Sequence, residues 1–111
     1  ATRVASYDPW VCLSWLTTGK TLGGLALYGE ENLLQRKEAL RLWTSGSAWF
    51  SGEEQAKGAI AVGQHADLAV LSRDFFAVPD EEIRSIRSEL TLVGGRIAHA
   101  SGAFAALAPP P

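Results

Sequence analysis

Two glycines, Gly94-Gly95, stand between the runs LTLV (Leu90–Val93) and RIAHA (Arg96–Ala100). A two-residue connection between strands needs positive φ at its centre, which glycine supplies at no steric cost. The pair predicts a tight antiparallel hairpin, and any fold for this chain has to contain it. Upstream, Asp67-LAVLS predicts another strand, a nearly continuous apolar run that reads as covered on both faces. Gly58 and Gly63 frame a short alternating piece, Ala59–Val62, and permit turns closed to residues with a Cβ. Asp67 is suited to accept backbone N–H bonds as the chain straightens.

The first half of the chain carries helical signals instead. Asp8-Pro9 is a helix start, because Asp caps free N–H groups and Pro at the first helical position loses nothing. The run WVCLSWLTT that follows is apolar on almost every side and ends at Gly19, so it predicts a helix buried all round. KTLGGLALYGEEN, with Gly23-Gly24 and Gly29, reads as an irregular loop. A second helix is expected over Gln35–Thr44, with Glu38 near its start, Arg41 near its end and a stripe of Ala39, Leu40, Leu42 and Trp43. Ser45-Gly46-Ser47 is expected to break it, with Ala48-Trp49-Phe50 adding one further turn. Pro79-DEEIRSI predicts a short helix, and GAFAALAPPP a frayed or extended tail. Helices first and short strands afterwards, without βαβ alternation, define an α+β chain.

Composition narrows the partners. Hydrophobic residues make up 47% of the 111, with four Trp, which is rich for a solvated monomer and predicts apolar surface covered by more chain or by a second copy. A net charge of −2 provides no field for a phosphate backbone, so nucleic-acid binding is disfavoured. No apolar run approaches a membrane span, and ATRVASYDPW has neither the basic start nor the apolar stretch of a signal peptide. The single cysteine, Cys12, fits a reducing compartment such as the cytoplasm.

KGAIAVGQHADLAVLS (Lys57–Ser72) resembles the return segment of the amidohydrolase superfamily, where the chain leaves a (β/α)8 barrel and re-enters a small β-sandwich. LTLVGGRIAHA is similar to that family's closing hairpin, and RKEALRLWTSGSAWFSGEEQAKG to its last barrel helix and following loop. Together with DPW, these pieces stand in the order found in the subgroup called amidohydrolase family 3, over about residues 1–100. The resemblance implies residues 1–56 as the last helical part of an incomplete barrel. It implies residues 57–104 as part of a composite β-sandwich, and the Ala/Pro composition of residues 105–111 is expected to leave them a disordered tail.

The implied activity is hydrolysis of non-peptide C–N bonds by one or two divalent metals, with zinc favoured, at the C-terminal mouth of the barrel. In relatives the metal ligands are a His-x-His pair, a carboxylate or modified Lys, two later His, and the Asp of a Gly-Ser/Thr-Asp triplet. All of them precede the segments matched here. The expectation is a C-terminal fragment that carries no catalytic residue and no metal ligand of its own, so that whether it is an enzyme at all is open. Its partner would be the remainder of the barrel, or a second copy of itself. The loop after the eighth strand lines the substrate mouth, so Thr2, Arg3 and Tyr7 are its candidate substrate-lining residues, with Arg3 available for an anionic group.

Other residues invite a function and have plainer readings. His65 and His99 are the only histidines, and with Asp67 they make a poor ligand trio. His65-x-Asp67 on a straightening chain points both side chains one way, yet a surface histidine beside a turn-capping Asp explains the pair. Cys12 reads as a structural thiol in an apolar helix. Trp10, Trp15, Trp43 and Trp49 have the spacing of core or interface residues rather than of a stacking platform. Gly23, Gly24, Gly94 and Gly95 sit in no phosphate-loop frame, and Asp80-Glu81-Glu82 opens a solvated helix. Two alternatives to the hydrolase fragment stand. One is a stand-alone, non-catalytic oligomerisation or partner-binding module, and the other is a small hydrolase built on His65, Asp67 and Cys12.

Overall fold

A computed structural model of the protein describes residues 6–111. It is an α+β structure with helices first and a three-stranded antiparallel sheet after them. The described residues form two compact units. One holds residues 6–40 and Arg73–Ile86, the other Arg41–Ser72 and Arg87–Pro111.

In the first unit, α1 spans Pro9–Thr18. Asp8 caps it, accepting the Trp10 N–H at 2.9 Å, and Gly19 ends it at φ 66° with its own N–H on the Trp15 carbonyl at 2.8 Å. Both stops are those expected of an Asp-Pro start and a glycine exit. Its burial is not as expected. Leu13 is buried at 1% exposure, while Trp15 remains 45% exposed. Leu13 belongs to a core with Phe75, Val78, Ile83 and Ile86, supplied by the Arg73–Ile86 segment and its 3-10 turns Asp80–Ser85. A ten-residue helix apolar all round presents more faces than this one layer covers.

The loop after α1 is irregular, as read, apart from one antiparallel bridge between Lys20 and Ala26 and a 3-10 turn at Glu30–Asn32. Tyr28 folds back across it, donating its hydroxyl to the Trp15 carbonyl at 2.8 Å with the two rings 6.2 Å apart. Arg36, at the start of α2 (Arg36–Arg41), ties the later segment to the helix. Its guanidinium reaches the Phe75 carbonyl at 2.7 Å and the Asp80 carboxylate at 2.8 Å, and lies over the Phe75 ring. The Gln35 N–H donates to the Glu38 carboxylate at 3.1 Å, half of a capping box that fixes where α2 begins.

The second unit takes over within this helix. The expected break at Ser45-Gly46-Ser47 is absent, because the chain stays helical through a wide π turn, Leu42–Gly46, into α3, Ser47–Phe50. Gly46 and Ser47 have ordinary right-handed helical angles. The serines that suggested a break bond backward instead, Ser45 Oγ to the Arg41 carbonyl at 3.3 Å and Ser47 Oγ to the Leu42 carbonyl at 3.0 Å.

Ala59–Val62 joins no ladder and is mostly irregular, with Gly58 and Gly63 at φ 97° and 90°. The sheet has the order β1 (Leu68–Leu71), β2 (Ser88–Val93), β3 (Arg96–Ala100), each pair antiparallel. Leu68 faces Leu92 and Val93 faces Arg96, with bulges at Val70/Leu71 and Thr91/Leu92. Gly94 and Gly95 both have positive φ, 57° and 78°, the mirror-image turn that a two-residue hairpin needs. Asp67 accepts the Gly94 N–H at 2.7 Å, pinning β1 to the hairpin tip.

β1 is not covered on both faces. Ala69 and Val70 are exposed, because a three-stranded meander offers the strand no second layer there. Gly102–Leu107, read as frayed or extended, winds into 3-10 turns that pack on β2 and β3, and the chain from Ala108 onward has no regular secondary structure.

Candidate functional site

Of the three candidate substrate-lining residues, Thr2 and Arg3 lie outside the described residues. Tyr7 lies just before the α1 cap and is 77% exposed. Its phenol is therefore available to a ligand, with no wall built around it by the described residues.

A broad groove lies in the first unit, between the Cys12–Trp15–Thr18 side of α1, the loop from Lys20 to Glu30, and Asp80, Glu81 and Arg84. Its floor is apolar and its rim carries both signs of charge. Nothing in the sequence announced it, since it arises from the loop folding back onto a helix face left half bare. Arg84 donates to the Leu22 carbonyl at 2.8 Å and so holds one rim in place. Asp80 is committed to Arg36. The half-buried Cys12 points its thiol toward the Ser6 carbonyl at 3.8 Å.

The histidines are not assembled into a site. The His65 backbone N–H donates to Ala56 at 2.8 Å, while Asp67 is engaged at the hairpin tip. His99 shares a hydrogen bond with the Ser101 hydroxyl at 3.2 Å. Among the described residues no three His, Cys, Asp or Glu side chains converge as metal ligands would.

Glu53 is a carboxylate of altered acidity. Hydrogen bonds from Lys57 and then Ser51, with the Lys57 charge behind them, hold its carboxyl below the ordinary value. The Lys57 ammonium is 2.5 Å away, four residues on, in a loop open to water. This is an ion pair that braces a turn, with His65 near enough to act weakly on the same carboxylate.

The arrangement is that of an α+β module in which helix, loop and sheet are formed but no reactive constellation is closed among the described residues. The chain belongs to the amidohydrolase family, whose model matches residues 2–99. It is similar to a curated Bacillus subtilis (strain 168) protein named "Putative amidohydrolase YtcJ", 36% identical over 72 residues. That stretch is 65% of this chain and 14% of the relative, so the match spans a small part of the relative's length. No solved structure matches the chain.

Proposed function

We propose that the chain is the C-terminal part of a metal-dependent amidohydrolase that hydrolyses non-peptide C–N bonds, and that it is catalytically incomplete by itself. The observation that carries this reading is the family match along nearly the whole chain, residues 2–99. The lack of a converging ligand set among the described residues is consistent with a metal held by other parts of the enzyme.

In this reading residues 1–56 finish a (β/α)8 barrel and residues 57–104 belong to a composite β-sandwich. The order of elements supports it, with α1 to α3 before Ser51 and all three strands after Asp67. So does the apolar surface, since Trp15, Trp49, Phe50 and Val70 are the kind of side chains that more enzyme would cover. Tyr7, with Thr2 and Arg3, would then edge the substrate mouth, and Arg3 would meet an anionic substrate group.

Two measurements test the reading. The isolated chain should show no hydrolysis of amides, ureides or cyclic imides, and equilibrium dialysis against zinc should leave no stoichiometric metal. One tightly held zinc per chain, lost on His65→Ala, would overturn it. The reading frame upstream of Ala1 should continue and encode a His-x-His pair and a Gly-x-Asp triplet. A start codon near Ala1 would instead favour a separate module.

A further inference from the structure

The second unit contains a feature that neither hydrolysis nor the sheet requires. Between Arg41 and Ser47 the helix takes in one residue more than an α turn, and the Ser47 N–H reaches back five residues to the Leu42 carbonyl. Such wide turns are short and rare, and they persist where something holds them.

Gly58 packs closely against this one. At φ 97°, it sits so close to the helix that an added methyl would lie 2.7 Å from Ala48 Cβ, 3.0 Å from Ser45 Cα and 3.1 Å from the Thr44 carbonyl oxygen. The loop that carries Gly58 is braced from within. Gln64 accepts the Ala59 N–H and donates to the Glu54 carbonyl, both at 3.1 Å. The His65 N–H meets Ala56 at 2.8 Å, and Lys57 pairs with Glu53. A self-supported loop thus presses one residue without a side chain onto the widened turn.

Beside that turn lies a shallow apolar hollow. Leu42, Gly46 and Ser47 of the turn form one part of it, and Trp49 and Phe50 of α3 the other. Trp49 is 65% and Phe50 86% exposed, with their rings edge to face at 5.6 Å.

We propose that the Leu42–Gly46 turn is a two-register joint, latched by Gly58, that sets which way Trp49 and Phe50 face. In the latched state the extra residue is stored in the wide turn. When the loop lifts, the extra residue passes along α3 into the turn at Ser51-Gly52, where Gly52 already has φ 70°. Every residue it passes rotates by about 100° around the helix axis, the angular step of one residue. Leu42 stays while Trp49 and Phe50 turn away from it, so the hollow is dismantled. The cost of the change is limited by Ser45, whose hydroxyl bonds the Arg41 carbonyl across the spacing of an ordinary α turn.

Backbone hydrogen exchange on the full chain tests this. Deleting Ser45 removes the stored residue, so Ala48–Phe50 should exchange about tenfold more slowly than in the wild type, with the β2–β3 amides unchanged. Gly58→Ala should lift the latch and speed exchange at the same amides about tenfold, but it should lose that effect when Ser45 is also deleted. The proposal fails if the deletion abolishes protection across β2–β3, since the extra residue would then be demanded by the fold. It also fails if Ala48–Phe50 are unaffected, or if Gly58→Ala acts equally in both backgrounds.

Discussion

Arg36 does the work of several contacts with one side chain. Its two hydrogen bonds and its position over Phe75 hold the Arg73–Ile86 segment to the start of α2, and the side chain is only 20% exposed. Arg36→Ala should therefore destabilise the first unit by about 1–3 kcal/mol, read as a lowered urea midpoint. Arg36→Lys should recover only part of the loss, because an ammonium cannot address a carbonyl and a carboxylate as a fork does. Glu53 gives a pH-dependent counterpart. Its carboxyl titrates below its unfolded value because Lys57 and Ser51 bond the charged form. The resulting stability is present above the unfolded carboxylate pKa and disappears as pH falls through the folded one. Water around the exposed pair makes the effect small, so Glu53→Gln should slightly flatten the acid side of the stability curve and leave neutral behaviour nearly unchanged. A steepened acid limb in that variant would show that Glu53 is not held in its charged form.

Among the elements, those announced by a local backbone requirement were legible in advance. Gly94-Gly95 could sit only in a positive-φ turn, and Asp8-Pro9 with Gly19 marked both ends of α1 to the residue. Each signal depends on sterics within a few bonds. The Ser45-Gly46-Ser47 expectation failed because serine ends helices only when its hydroxyl captures a forward N–H, and here both hydroxyls bond backward to carbonyls. Burial was legible least, since Trp15 and Val70 are apolar in the sequence whether or not anything covers them. The hairpin supplies its own test. Gly94→Val and Gly95→Val should each cost about 1 kcal/mol or more, read from the denaturant midpoint. An unchanged midpoint in both would mean that the turn tolerates side chains at positive φ. Asp67→Ala should also lower the midpoint, because it removes the partner of the Gly94 N–H.

For the whole molecule, the balance between covered and uncovered apolar surface governs behaviour. The second unit buries only Ala48 and Ala100 below a tenth of their surface, while Leu42, Trp49, Phe50, Ile60 and Val62 are each more than half exposed. Burying such side chains is worth about 1.5–3 kcal/mol apiece, so the chain alone should self-associate. Sedimentation at high micromolar concentration should show dimers or larger species, and a clean 11.9 kDa monomer would refute this. The site was less readable than the fold, because the family pieces point to an enzyme whose ligands the described residues do not assemble, and two of the three candidate lining residues precede them. The route of the chain also has a consequence in time. After β1 the chain leaves the sheet to build Arg73–Ile86 into the other unit, then returns at a clasp where Ser72 and Arg87 exchange bonds of 2.8 and 3.0 Å. β2 and β3 need close only a two-residue turn, an event of about 1–10 μs. β1 must wait for the whole excursion to be gathered, with its larger loop entropy. During synthesis or refolding, the β1-facing edge of the hairpin therefore stands unpaired for a period. The compactness of Arg73–Ile86 sets how long that edge remains open to capture by a neighbouring chain.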